Sequence, residues 1–555
     1  MDEISQAIAW HRAGRLAEAE GLYREILARE PDHAEALQLL GLVACQSARL
    51  EQAEELIARA VALQPDNAEF LGNLGEVQRR RNRLPEAIAA LRRAAELAPQ
   101  NACVPYNLAL ALSAVGQLTE AVAAYRQALV LQPNYPEALN NLGLLLHRLG
   151  EFPAAAEAFQ KALALRPDHA EDSNNLGLTL WNLHRHEAAL AAFELAVQLK
   201  PDFAGAQANR ALALRKLGRA GEAVGAYEKA ARLNPNSADL QRDRATALSE
   251  VRAFEAAIGA ARRAVELAPE QAEAAHCLGV VLAAAADQAG GAAGEAAAGR
   301  KAEAIGAYER ALALRPGVAE WEFELAVLRG DTPPTAPDAY VKALFDEYAL
   351  RFEHHLVDLL HYDVPQKLLA ALRETGVLPA VSDPAAPAAA LDILDLGSGT
   401  GLVGSLFRPY ARSLTAVDLS PNMMAAAQGR RDAGGRLVYD RLITSHILPA
   451  LRVFRAAFDL ILAADVFIYV GSLDEVLPAA ARALRPNGTL AFSLERFDPP
   501  AAGDAGFDFR LRYRHSLAYI RGLAAAAGLT ERAVVEAHLR DDVPPGWIVV
   551  LQRGA

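Results

Sequence analysis

Proline recurs through the first half of the chain at 31, 65, 99, 133, 167, 201, 235 and 269, each 34 residues after the last. So even a punctuation does not suit one large core. It demands a small unit copied and stacked, each copy burying its apolar face on the next. Small residues keep the same step. Gly or Ala stands at 41, 75, 109, 143, 177, 211, 245 and 279, and alanine at 53, 87, 121, 155, 189, 223, 257 and 304. A second alanine series runs 60, 94, 128, 162, 196, 230, 264 and 311, with aromatics at 23, 125, 159, 193, 227 and 308. Two antiparallel helices approach closely only where the crossing residues are small, and an aromatic ring fills the space beside them. Proline then ends the second helix, whose hydrogen-bond ladder it cannot continue. Pro316 arrives 47 residues after Pro269, and the run "DQAGGAAGEAAAG" (287–299) supplies the surplus as an insertion.

This pattern resembles a tetratricopeptide array over about residues 1–316, and predicts an all-α solenoid of about nine repeats across 1–330. The segment "VAEWEFELAVLR" (318–329) is expected as a terminal helix over the last repeat. The resemblance implies a superhelix whose first helices face the concave side. On that side stand Asn73, Asn107, Asn141, Asn175 and Asn209, again at steps of 34, with Asp243 next. An amide both donates and accepts, so such a ladder suits the backbone of an extended protein or peptide held in the concave groove. A similar ladder serves the repeat domain of a eukaryotic sugar transferase. The competing reading is that these amides bridge neighbouring helices.

At 555 residues with a net charge of −12, the chain offers no general electrostatic hold on nucleic-acid phosphates. Its three cysteines lie scattered, without metal-ligand spacing, and are expected to be reduced. The start Met1-Asp2-Glu3 lacks a basic and apolar leader, and no stretch of about 18 apolar residues occurs, so no membrane span and a cytoplasmic location are expected.

Beyond a breaker-rich linker (331–337), residues 338–390 read as a helical cap and entry segment. From 391 to 555 strand and helix alternate, the pattern of a doubly wound α/β domain. Seven strands are expected: 391–396, 413–419, 441–444, 458–464, 488–494, 531–537 and 546–553, the last two as an antiparallel hairpin.

The first strand runs into "DLGSGTG" (395–401). A dinucleotide fingerprint would place a small residue at 402, where Leu402 stands. An acid two places before the first glycine opposes a pyrophosphate and favours a cationic cofactor. The spacing Asp395-x-Gly397-x-Gly399-x-Gly401 resembles the first motif of Rossmann-type S-adenosylmethionine-dependent methyltransferases. That resemblance implies S-adenosyl-L-methionine as cofactor, with contacts from Asp395, Gly397, Ser398, Gly399, Thr400, Gly401, Asp418 and Leu419. "FDLILAADVF" (458–467) resembles the family's fourth-strand motif, which implies Asp465 and Val466 at the methionine end. Upstream, "FDEYALRF" (345–352) is similar to a cap segment in bacterial methyltransferases fused to tetratricopeptide repeats, bringing Tyr348, Phe352 and also Tyr362 near the cleft. The acid that often meets adenine is absent after the third strand, leaving Ser445 and His446.

No residue is singled out as catalytic; Asp465, His515 and Tyr513 are the candidates, the last two in "RLRYRHS" (510–516), where Ser516 reads equally as a helix cap. His354, His355, His361 and Asp358 read as a solvated helix face, so no metal is expected. The expected function is methyl transfer by in-line displacement, with the repeats recruiting a protein partner or substrate. The alternatives are a lipid or quinone-precursor acceptor with the repeats for assembly, and a non-catalytic scaffold that keeps the fold.

Overall fold

The computed structural model describes the whole chain except residues 1–2, 289–294, 332, 334–335, 349–361, 380–389, 433, 497–504, 509–511 and 540–544. It divides into two compact units, Met1–Lys216 with Gly225–Leu233, and Leu217–Val224 with Asn234–Ala555.

Helices come in pairs. They are α1 (Glu3–Arg12) and α2 (Leu16–Arg29), α3 (Ala34–Gln46) and α4 (Leu50–Leu63), α5 (Ala68–Arg80) and α6 (Leu84–Leu97). The series continues with α7 (Cys103–Ala114) and α8 (Leu118–Leu131), α9 (Pro136–Arg148) and α10 (Phe152–Leu165), α11 (Ala170–Asn182) and α12 (His186–Leu199). It ends with α13 (Ala204–Lys216) and α14 (Ala220–Leu233), α15 (Ala238–Glu250) and α16 (Phe254–Leu267), α17 (Ala272–Gln288) and α18 (Glu295–Leu314), then α19 (Ala319–Arg329).

The small residues do what the spacing predicts. A Cβ on Gly75 would lie 2.6 Å from Leu91, on Gly143 2.8 Å from Phe159, and on Gly177 2.5 Å from Phe193. Both helices of the pair that carries the insertion are lengthened: α17 has 17 residues and α18 has 20, against 13 and 14 in α15 and α16. A further 34-residue series is written in the backbone. Gly14, Ala48, Asn82, Gly116, Gly150, His184, Gly218 and Arg252 all take positive φ at the turn between the helices of a pair.

After α20 (Asp338–Tyr348) and α21 (Val364–Glu374) comes an α/β domain. Its elements are β1 (Leu391–Leu396), α22 (Leu402–Phe407), β2 (Ala411–Asp418), α23 (Pro421–Gln428), β3 (Arg441–Thr444), α24 (Ile447–Val453) and β4 (Phe458–Ala463). Then follow α25 (Val476–Ala483), β5 (Leu484–Leu494), β6 (Ala505–Asp508), β7 (Arg512–His515), α26 (Leu517–Ala526), β8 (Leu529–Ala537) and β9 (Gly546–Arg553). The seven-stranded sheet has the order β3-β2-β1-β4-β5-β9-β8. β1 to β5 are parallel, and β9 enters antiparallel between β5 and β8. β6 and β7 form a separate two-stranded ribbon, which the sequence patterning did not anticipate.

Each face of the sheet is covered by its own apolar layer. Leu394 and Leu396 join Val417, Ile461, Ala463 and the buried faces of α24, α25 and α26. Ile393 points the other way, with Ala416, Leu460, Leu462 and residues of α21, α22 and α23. Side chains alternate along a strand, so Asp395 falls on the Ile393 side.

Candidate functional site

Chain reversal after β1 depends on three glycines with positive φ: Gly397 (62°), Gly399 (54°) and Gly401 (98°). A Cβ on Gly397 would stand 2.4 Å from Val466 Cγ2, so only glycine lets the loop lie against the tip of β4. The loop amides are occupied. Gly397 and Ser398 N–H both donate to the Val417 carbonyl (2.7 and 3.1 Å), and Gly401 N–H donates to the Ser398 carbonyl (2.9 Å). Gly399 N–H donates to Asp418 Oδ2 at 2.8 Å. Asp418, 9 % exposed at the end of β2, also accepts from Ser420 N–H at 2.9 Å. Burial pushes its carboxyl up, against three backbone amides that hold it down. Three amides on about four lone-pair sites leave room for one further donor.

Asp395 sits lower than its place in the motif implies. The strand's alternation carries its side chain into the helix layer, fully buried, where Oδ2 accepts from the Tyr439 hydroxyl at 2.6 Å. Oδ1 has no hydrogen-bond partner among the described residues. Burial pushes its carboxyl up to about 7; the Tyr439 bond opposes this and the charge of Asp418 reinforces it. The phenol fills the space under the loop: a Cβ on Gly404 would lie 2.3 Å from it and one on Gly401 3.0 Å.

At the tip of β4, Asp465 adopts φ 55°, a conformation unusual for a non-glycine residue. It is locked there by Ser493 on β5, whose hydroxyl accepts from Asp465 N–H and donates to its carboxylate, both at 2.8 Å. Ser445 lies beside Asp418 through its N–H to the Asp418 carbonyl (2.9 Å), and its hydroxyl donates to the His446 carbonyl. His446 caps α24, accepting from Leu448 N–H at 3.3 Å.

Asp346, inside the "FDEYALRF" segment, is a contact that motif reasoning missed. Its carboxylate accepts from the Ser420 hydroxyl at 2.5 Å, and its carbonyl accepts from Asn422 Nδ2 at 3.1 Å. Burial works against the charge of Asp346, yet the Ser420 and Lys342 bonds keep its carboxyl below the ordinary value. Phe345 meets Tyr469 edge-on at 5.1 Å. Thus α20 is fastened to the start of α23 and to the segment after β4. Phe352 and the Tyr348 side chain lie outside the described residues, as do His354, His355, Asp358 and His361. Tyr362 is buried among Val364, Leu368 and their neighbours.

The two remaining candidates are packed away from solvent. Tyr513 is fully buried against Phe323 and Ala336, and its hydroxyl donates to the Pro333 carbonyl at 2.9 Å. His515 is 1 % exposed; its Nε2 lies 2.9 Å from the Val470 carbonyl and 3.3 Å from that of Phe467, so it braces the segment after β4. Ser516 caps α26. Among the described residues no cluster of His, Cys, Asp or Glu could hold a metal, and no helix is long and apolar enough to cross a membrane.

A family model described as "Methyltransferase domain" matches residues 394–490, which run from β1 into β5. Tetratricopeptide-repeat models match 6–47, 39–102, 112–150, 136–169 and 174–238. The chain is a tetratricopeptide-repeat array fused to a methyltransferase domain. Among curated proteins, the chain is 30 % identical over 157 residues to a malonyl-acyl-carrier protein O-methyltransferase of Geobacter sulfurreducens, covering 28 % of this chain and 51 % of that protein. An enzyme of the same description from Serratia marcescens is 33 % identical over 101 residues, 18 % of this chain and 37 % of its own. The chain thus spans about half or less of the curated relatives it matches. Among solved structures, YrrB, titled a TPR protein with an unusual peptide-binding site, is 22 % identical with a TM-score of 0.30, covering 33 % of this chain and 95 % of that one.

Within the repeat array, the asparagines at steps of 34 are half-buried, and three reach across to the preceding repeat. Asn141 Nδ2 donates to the Tyr106 hydroxyl (3.1 Å), Asn175 Nδ2 to Asn140 Oδ1 (3.3 Å) and Asn209 Nδ2 to Asn174 Oδ1 (2.9 Å). One N–H of each is thereby engaged between repeats. Asn73 and Asn107 are half-buried on α5 and α7.

Proposed function

We propose that the protein is an S-adenosylmethionine-dependent methyltransferase whose repeat array recruits the protein that carries, or presents, the methyl acceptor. The observation that carries this reading is the state of the loop amides. The N–H groups of Gly397, Ser398, Gly399 and Gly401 are spent on Val417, Ser398 and the Asp418 carboxylate. A site for nucleotide phosphates needs such amides aimed at the ligand. Here an acid occupies the loop instead, which suits a cofactor that is cationic and free of phosphate. The three positive-φ glycines and the missing Cβ at Gly397 fit a ligand lying close over the backbone.

S-adenosylmethionine, when bound, supplies a methyl group on a positively charged sulfur. The residues would then divide the binding work. Asp418 would offer its remaining lone pair to a ribose hydroxyl, Ser445 would adjoin it on the adenine side, and Asp465 with Val466 would border the methionine end. Displacement at an activated carbon asks the protein chiefly for alignment and exclusion of water. A base is needed only where the acceptor still carries its proton. The curated relatives' descriptions favour a second reading, in which the acceptor is a carboxylate borne on a small carrier protein. A carboxylate attacks without a base, in keeping with the buried settings of Tyr513 and His515.

Isothermal titration with S-adenosylmethionine, with Asp418→Ala alongside, tests the cofactor. Loss of charged hydrogen bonds is expected to weaken binding by about ten- to a hundredfold. Equal heats for both proteins would count against the site. Methyl-label transfer into lysate, separated into protein, lipid and small-molecule fractions, tests the acceptor. Label is expected in protein. Label confined to lipid would favour a small acceptor with the repeats for assembly, and binding without any transfer would favour a scaffold.

A further inference from the structure

The buried pair beneath the glycine loop bears on how the cofactor is captured, an inference that rests on the S-adenosylmethionine reading. Tyr439 touches the loop where it leaves toward α22, under Gly401 and Gly404, while Asp395 lies where the loop begins. The 2.6 Å bond between them joins the two ends from below. Asp395 is faced by Tyr439 from the segment before β3, by Asp418 from β2 and by the Gly404 backbone N–H from α22. Arg430 acts on Tyr439, while its guanidinium donates to the Thr400 carbonyl (3.2 Å) and the Ser405 hydroxyl (2.6 Å). Asp346 acts in turn on Asp418. Two carboxylates thus serve one loop, and the one wholly out of water accepts from the Tyr439 hydroxyl. A buried carboxylate beside another favours its proton until a positive charge arrives.

We propose that Tyr439 is a positioning residue for cofactor capture: its hydroxyl orients Asp395 beneath the loop in the charged form, so that uptake of a cationic cofactor is coupled to release of one proton from Asp395 to solvent. The balance is simple. The empty site with protonated Asp395 takes up a cation and gives a proton to buffer; no bond to the cofactor forms.

The pH dependence takes its sign from the acid. With the carboxyl of Asp395 pushed up to about 7, the empty site holds the proton at lower pH and has lost it at higher pH. The Asp395 contribution to affinity is therefore expected to fall about tenfold per pH unit below 7 and to level off above it. Tyr439→Phe keeps the ring under Gly401 and Gly404 but removes the bond that favours the carboxylate, so the fall begins at a higher pH.

The test is titration calorimetry of the full chain with S-adenosylmethionine from pH 6 to 8.5, in buffers of different ionisation enthalpy. Thermal unfolding checks that each variant is folded. At pH 6.5 the ligand's own amino group, which titrates at about 7.7–8.0, is fully protonated and adds nothing. The wild type is expected to release about one proton and Asp395→Asn none. Tyr439→Phe should match wild type at pH 8.5 within about threefold and fall behind it by about tenfold near pH 7. Superimposable profiles for wild type and Tyr439→Phe, or equal proton release by wild type and Asp395→Asn, would overturn the coupling while leaving the cofactor assignment intact. No binding at any pH would remove both.

Discussion

Asp395 shows what one strand parity decides. An aspartate two places before a glycine reads, in sequence, as a group near the ligand. Yet Ile393 and Asp395 share a face of β1, and that face is roofed by α21, α22 and α23. The carboxyl therefore retains its proton to about 7, where an unfolded chain would release it near 4. Between those values the folded domain holds a proton that the unfolded chain has lost. Stability conferred below pH 4 thus drains as pH rises to 7, and is flat beyond. Asp395→Asn is expected to equal wild type in urea unfolding at pH 4, and to exceed it at pH 8 by on the order of 2–4 kcal/mol. Wild type as stable as the variant at pH 8 would show the carboxylate to be well solvated.

At the scale of elements, the helix pairs were legible because their determinants are short-range and repeated. Close packing needs Gly or Ala at fixed offsets, and Gly177 against Phe193 answers to that need. The turns between paired helices obey an equally strict rule that composition hides. Eight residues at steps of 34 share positive φ, yet four are not glycine: Ala48, Asn82, His184 and Arg252. A side chain with φ > 0 costs about 1 kcal/mol or more. Arg252→Gly is expected to raise stability by up to about 1 kcal/mol, less the greater freedom glycine has when unfolded, read as a shift in urea midpoint at unchanged slope. A lower midpoint would mean that the Arg252 side chain contributes more than its backbone costs. The strands of the sheet were legible from alternation and apolar runs. The β6–β7 ribbon was not, although Phe507, Phe509, Leu511 and Tyr513 alternate with charged residues in the sequence; its strands are short, and a ribbon outside the main sheet is defined by its pairing partner. The same limit hid Tyr439, Asp346 and Ser493. Each acts through a neighbour 28 or more residues away in sequence, and no local spacing records that.

For the molecule as a whole, the order of the two architectures was readable, since a 34-residue period and a strand–helix alternation cannot be mistaken for one another. The lengthened pair was readable only in part: 287–299 looks like a loop, but Ala-rich sequence extends the helices on both sides of it. Just past that pair, Trp321 on α19 joins Ala272, Ala275 and Ala311 in one apolar cluster. Its ring stacks on His276 (4.6 Å, 15°), and the Arg315 guanidinium lies 5.6 Å over it. Trp321→Ala is expected to raise concentration-dependent self-association in sedimentation velocity above the level of wild type. Unchanged sedimentation would show the exposed alanines to be harmless. A stack of like modules carries no internal instruction to stop, and its last surface is the mould for another copy. With an indole set into that mould, the surface meets a residue of its own chain before it can meet a second copy.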